Sequence, residues 1–522
     1  MTRGQPLLGR VKGALAWRIH TRVLASAQNL ELWRDEEVPV APASASDDQL
    51  RQLVQGAITA LNDVDIDGCV RPAMMVATAP CPDDNFARLQ IKESACYILA
   101  VALLQGLGRL DEAILWWRER NRVAAVLARH FLEGRDPARI AERIFDTFWS
   151  SHLGHTAVLG IYVKRNLLRK SPRTLTLVRP PAKNSGNPYL VEHWRRYFTL
   201  VDSAADLPFP PDALPFLYKN MFLEDRLEGP ESHYWRAYAE ISRAWEEAGG
   251  GALLDLSPEE RLRGGAGLVA MGIPEGAWYV CLHVRAAGFK STHEGLQDAL
   301  NADIGTYASA IDAILQRGGW VVRMGDPSMP RLPSRHGVVD YAHNPQKSDW
   351  MDIFLFASCR CMVGTSSGPA YVPSLFGVPG VFTNWFPNGT RPLNSADLFI
   401  PKLHWYEAHN DYVPFDESLA PPLGHIHSRP TLRALGVSLR DNEADDLRDV
   451  VVEMLDRLEE QTARSPEDAE LQARFDAVAE NSRSFGNARI GRNFIRKYRR
   501  LLPSGTAGQR RAVRQSSTVR QS

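Results

Sequence analysis

Trp278-Tyr-Val-Cys-Leu-His-Val284 is apolar almost without a break. A strand with one wet face alternates apolar and polar residues. A run without alternation reads as a strand covered on both faces, which parallel sheets require. The residues on its C-terminal side repeat the theme. Thr306–Arg317 has helical spacing and is stopped by Gly318-Gly319. Trp320-Val-Val-Arg-Met324 is the next strand, ended by Gly325-Asp326-Pro327. Gly337-Val-Val-Asp340, a helical Trp350–Cys359 and Arg360-Cys-Met-Val363 follow. The loop Gly364-Thr-Ser-Ser-Gly-Pro369 leads into a helix over Ala370–Phe376, and Val378-Pro-Gly-Val-Phe-Thr383 closes the set. Strands alternating with helices predict a doubly wound α/β unit, with bounds 252–430.

Upstream, a shorter unit has the same texture. Arg143-Ile-Phe-Asp-Thr-Phe-Trp149 reads as a strand and Ser150-Ser-His-Leu-Gly-His155 as a glycine loop. Thr156–Leu168 is helical and Thr174-Leu-Thr-Leu-Val-Arg179 β-rich. This is the opening of a second Rossmann-like unit, over 139–229. Before it, 49–135 reads as an α-helical domain. Its turn Gly106-Leu-Gly-Arg-Leu-Asp-Glu-Ala113 is similar to that of tetratricopeptide repeats, although a second copy is lacking. Asp63-Val-Asp-Ile-Asp-Gly68 opens like a calcium loop, but Met74 stands where the closing Glu is needed and Pro72 interrupts it. A solvated turn is the reading there. Residues 1–37 carry Arg3, Arg10, Lys12, Arg18 and Arg22 with no acid before Glu31. Helix packing on the protein itself is favoured for them, with a peripheral membrane contact through residues 1–29 as the other reading. Beyond 430 the chain reads as charged helices to 502, then as a disordered tail over 503–522.

Composition removes several classes. Lys+Arg and Asp+Glu are both 61, so the formal net charge is zero, against a nucleic-acid binder. Six scattered cysteines without a Cys-x-x-Cys read as reduced thiols of a cytoplasmic protein. No Gly-x-x-x-x-Gly-Lys, no His-Glu-x-x-His and no metal-ligand spacing occurs.

In doubly wound sheets, ligands bind beyond the carboxyl ends of strands. Three loops fall there: His283-Val-Arg285, Arg323-Met-Gly-Asp326 and Gly364-Thr-Ser-Ser-Gly368. Arg offers a bidentate fork to phosphate oxygens, and a Gly/Ser loop offers N–H groups and hydroxyls. An Asp after a strand accepts from a ribose or base. Together they predict a site for a nucleotide diphosphate. Each has a structural alternative as an ion pair, a turn residue or a helix cap.

These stretches resemble a family of bacterial glycosyltransferases distantly similar to the GDP-fucose-dependent fucosyltransferases. The resemblance is carried by the three loops, by Asn301-Ala-Asp-Ile304 with Tyr307, by Asp340-Tyr-Ala342 and by Lys347-Ser-Asp-Trp-Met-Asp-Ile-Phe354. It implies a GT-B-like pair of Rossmann-like domains with an α-helical N-terminal domain and C-terminal helices. The C-terminal unit would hold a nucleotide sugar, a GDP-sugar favoured, as co-substrate without a further cofactor. The N-terminal unit would hold a glycan, lipid-linked or protein acceptor. His283 and Arg285 match the family's His-x-Arg-Arg, with Ala286 in place of the second Arg. The implied donor residues are His283, Arg285, Arg323, Gly325, Asp326, Thr365, Ser366, Ser367 and Gly368. Arg285 would stabilise the leaving diphosphate without a metal, and His155 is the candidate base.

Two other readings stand beside this one. Gly364-Thr-Ser-Ser-Gly368 also fits Gly-x-Ser-x-Gly, with Ser366 as a hydrolase nucleophile and Asp397 with His404 or His425 as partners in chain order. A non-catalytic helical-repeat scaffold is the other. An epimerase on the same fold shares the nucleotide-sugar site.

Overall fold

The computed structural model describes residues 42, 45–63, 65–132, 142–169, 173–217, 222–286, 298–460 and 465–503. The basic N-terminal segment and all of the tail beyond Pro503 therefore lie outside the described residues.

Among the described residues, four α-helices come first: α1 (Asp47–Asp63), α2 (Ile66–Thr78), α3 (Phe86–Val101) and α4 (Leu110–Phe131), with an apolar core of their own. The calcium-like stretch is a helix start instead. Asp65 caps α2 by accepting from the Gly68 N–H, and Pro72 lies inside the helix. The turn before α4 holds Gly108 at φ 67°, with its Cα facing the Pro422 backbone so closely that a Cβ would stand 2.2 Å from the Pro422 carbonyl oxygen. That contact docks the helices on the rest of the chain.

The first α/β unit consists of β1 (Glu142–Phe145), helix α5 (Leu153–Leu168), β2 (Thr174–Val178) and β3 (Thr199–Val201), its strands parallel in the order β1-β2-β3. β1 is shorter than its sequence suggests, because Asp146 caps a 3-10 turn over Thr147–Trp149. Helices α6 (Tyr234–Glu247) and α7 (Pro258–Ala270) lead to the second unit.

There, β4 (Tyr279–His283), α8 (Ala308–Gln316), β5 (Trp320–Arg323), β6 (Val338–Val339), α9 (Asp349–Ser358), β7 (Cys361–Gly364), β8 (Gly380–Trp385) and β9 (Leu398–Pro401) follow in turn. A further strand, β10 (Arg489–Ile490), joins after helix α10 (Ala444–Leu458). All are parallel, in the order β10-β9-β8-β7-β4-β5-β6. Every residue of β4, β7, β8 and β9 is buried, as the unbroken apolar runs require. Where 431–502 reads as helical from sequence, Val437–Arg440 is instead a strand of a small antiparallel sheet and Arg489–Ile490 the edge of the large one. Strands of two to four residues leave no periodicity to read. One apolar core runs through both α/β units and the C-terminal helices.

Candidate active site

The chain builds outward from β4 through β5 to β6, then returns to the other side of β4 for β7 and β8. The direction of winding reverses between β4 and β7. Crossovers there leave the sheet on opposite sides, and a crevice opens beyond the strand ends. Register brings the ends level: Leu282 faces Arg323, and His283 faces Gly364. Of the three predicted loops, two therefore flank the crevice and the third lies one strand away.

The two flanking loops are tied together. Thr365 donates its N–H to the His283 carbonyl at 3.2 Å and its Oγ1 accepts the Arg285 N–H at 3.1 Å. Ser367 Oγ is 3.1 Å from His283 Nδ1. The imidazole is buried, and burial first, then Arg285, Arg323 and Lys347, pushes it down to about 4, so it is neutral at pH 7. Arg285 Nε donates to Asn301 Oδ1 at 3.1 Å, and burial lowers the guanidinium to about 10.

The other predicted residues are placed differently. Arg323 is 1% exposed and gives NH1 to Asp340 Oδ1 at 2.8 Å and NH2 to the Pro330 carbonyl. Asp340 also accepts the Leu332 N–H and contacts His343 Nδ1 at 2.9 Å. This arginine thus fastens the β5 end to the segment after β6. Gly325 follows at φ 153°, and Asp326 Oδ1 accepts the Ser328 N–H at 2.9 Å in a partly exposed turn. Ser366 Oγ accepts the Phe386 N–H at 3.0 Å.

From the first unit, the first turn of α5 reaches the same place. A Cβ on Gly154 would lie 2.6 Å from Gly368 Cα, and one on Gly368 would lie 2.9 Å from Gly154 Cα and N. Two glycines meet backbone to backbone, joining the start of α5 to the Gly364–Gly368 loop at the carboxyl edge of the larger sheet. His155, next to that contact, packs its ring on Phe148 with centroids 4.4 Å apart, and burial lowers it to about 3. His152, exposed, lies 3.2 Å through Nδ1 from Ser151 Oγ.

The hydrolase constellation is not assembled. Asp397 Oδ1 accepts the N–H of Gly380, the first residue of β8, whereas Ser366 lies at the carboxyl edge, a strand length of roughly 17 Å away. His404 Nδ1 contacts Ser418 Oγ at 2.8 Å, and His425 packs 5.8 Å from the ring of His233. Among the described residues no three His, Cys, Asp or Glu side chains gather to hold a metal ion, and no helix is long and apolar enough to cross a membrane.

Several supporting residues escape the loop reading. Tyr307 OH meets Thr383 Oγ1 at 2.7 Å, and Thr383 donates to the Gly364 carbonyl. Asn384 sits at φ 48°, donates Nδ2 to Tyr307 OH, gives its backbone N–H to Asn442 Oδ1 and accepts the Asn442 N–H on its own Oδ1. Asn tolerates the left-handed region, and an Asn directly after a β-rich run is the signal that marks it. Buried Lys402 holds the Asn301 carbonyl at 2.8 Å and Asp441 at 2.7 Å, a contact across the fold that leaves no local signature.

No protein-family model and no curated protein matches the chain. Among solved structures it is similar to the glycosyl transferase family 9 protein from Veillonella parvula DSM 2008, at 14% identity over 47% of this chain and 68% of that one, with a TM-score of 0.25. A likeness at that level adds nothing to the fold described above.

Proposed function

We propose that this chain is a GT-B-like glycosyltransferase, moving a sugar from a nucleotide diphosphate to a glycan, lipid-linked or protein acceptor. One observation carries the reading: Arg285, His283 and the Thr365–Gly368 hydroxyl loop converge at the switch point of the larger sheet, where the smaller unit abuts through Gly154. The resemblance of these same loops to a glycosyltransferase family supports it, and favours a GDP-sugar.

In this reading the donor diphosphate lies against Arg285 and the Ser366–Ser367 hydroxyls. As the glycosidic bond breaks, positive charge grows at the anomeric carbon and negative charge on the departing diphosphate. Arg285 offsets that negative charge through charge-assisted bonds, without a divalent cation. Arg323 acts as a positioning residue, since its guanidinium is committed to Asp340. His155 is the candidate to take the acceptor proton; burial lowers its imidazole to about 3, which keeps it neutral at pH 7 but makes it a weak base, and the turnover test below decides its role. The reaction is placed in the cytoplasm, by analogy with nucleotide-sugar supply.

Thermal melting with GDP, UDP, CMP, dTDP and ADP tests the proposal. A ligand at about 100 times its dissociation constant adds about 2.7 kcal/mol. One nucleotide is expected to raise the melting temperature, to do so in EDTA, and to fail with Arg285→Ala. No response to any nucleotide would overturn the reading. Replacing His155 with Ala should lower turnover far more than donor affinity, and unchanged turnover would remove it as the base.

A further inference from the structure

A separate cleft lies where the start of α4 meets Arg483–Phe485 and the hairpin that pairs Leu223–Glu224 with Ser232–His233 ahead of α6. It is a cavity of about 320 Å³, and four arginines, Arg118, Arg226, Arg236 and Arg483, line it. Three carboxylates stand near them, Asp111 and Glu231 in the lining and Glu240 behind. The arginines keep hydrogen-bonding capacity in reserve. Arg226 and Arg236 both bond Glu240 through Nε, at 2.8 to 3.1 Å, and among the described residues no terminal nitrogen of either donates a hydrogen bond. Arg483 uses NH1 on Asp111 at 2.7 Å, and Arg118 uses NH2 on the Glu231 carbonyl at 3.1 Å. Guanidinium groups gathered with open N–H positions are the chemistry of oxyanion recognition.

A second observation is independent of the arginines. His233 also lines the cleft, is 3% exposed, and its Nδ1 has no hydrogen-bond partner. A buried polar atom left without a partner carries an uncompensated desolvation penalty, which a ligand hydroxyl bonded to it would offset. The lining also holds apolar side chains, Ile114, Leu115 and Phe485. Phe485 presents a ring with the Arg236 guanidinium 5.5 Å from its centroid, and Leu115 is 60% exposed at the rim. Apolar surface beside hydroxyl-binding groups suits the C–H face and hydroxyls of a sugar.

We infer that this cleft binds an anionic saccharide, its carboxylate or phosphate on the arginines and its ring against Phe485. The assignment does not depend on the transferase reading, since none of these residues belongs to the switch-point loops.

The test titrates the full chain calorimetrically with glucose 6-phosphate, glucuronate, glucose and inorganic phosphate, without nucleotide. Glucose 6-phosphate or glucuronate should bind at least tenfold more tightly than glucose and than phosphate. Arg236→Gln should weaken that binding tenfold or more. Leu115→Glu, a rim change at an exposed position, should do the same by repulsion without removing a hydrogen bond. Arg285→Ala should leave it unchanged, even if that variant abolishes nucleotide binding. Four results would overturn the inference: no binding of either anionic sugar, equal binding of glucose or of phosphate alone, undiminished binding in Leu115→Glu, or loss in Arg285→Ala.

Discussion

Replacing Gly154 with Ala places a methyl group 2.6 Å from Gly368 Cα. Carbon atoms rest at about 3.5–4.0 Å, so the two loops must part by about 1 Å. The obstacle is backbone, and no rotamer change relieves it. Forcing a methyl into a filled site costs about 1–3 kcal/mol. Against that, Ala gains up to about 1 kcal/mol over Gly within a helix, and less in a first turn. The net expectation is a loss of about 1–2 kcal/mol. Gly265, in α7, supplies the control, since nothing lies within 4 Å of its added Cβ. There the helix gain is unopposed, and Gly265→Ala should stabilise. Urea unfolding of both variants, followed by tryptophan fluorescence, gives the two signs. A Gly154→Ala chain as stable as the parent would refute the backbone contact between the units, and with it the shared crevice. Gly368→Ala should repeat the loss, and the double variant should lose less than the sum, because one separation relieves both clashes.

Acidification should destabilise the chain between about pH 6.5 and 4. Burial holds His283, His404 and His427 at about 4 and His425 at about 3, so the unfolded chain binds protons that the folded one refuses. Asp397, raised to about 6 by burial, works in the opposite direction, as do Asp352 and Asp446, but burial also lowers His155, His193 and His233, so the imidazoles outnumber the carboxyls; a melting temperature flat over that window would contradict the burial of these imidazoles. Ser366→Ala should cost about 1–3 kcal/mol by orphaning the buried Phe386 N–H, and a fluorophosphonate should leave the parent Ser366 unlabelled, as labelling would restore the hydrolase. Gly108→Ala meets both a positive φ and the Pro422 carbonyl, so it should lower the melting temperature and speed proteolysis within α1–α4, and an unchanged digest would show that the helices dock elsewhere.

The larger sheet was legible because burial on both faces writes itself into consecutive residues, as in Tyr279–His283 and Gly380–Trp385. Its two-residue edge, Arg489–Ile490, was not, because pairing with β9 across a long insertion has no local pattern. The position of the loops at the strand ends was legible from the alternation of strands and helices, and Arg285 and Thr365 lie together there. What the types could not tell was allegiance. Arg323 and Arg285 look alike in sequence, yet Asp340 is joined to one and Asn301 to the other. The cleft beneath Arg118 and Arg483 was invisible for the same reason, since its arginines come from segments far apart in the chain.

The late arrival of β10 has a consequence during synthesis. At roughly 5–20 residues per second, a ribosome needs several seconds to pass from β9 to Arg489. Through that interval β9 has one neighbour instead of two, and its outer row of N–H and C=O groups is a template for any passing strand. The nascent chain thus still carries an unpaired sheet edge after nearly all of its core residues have been made.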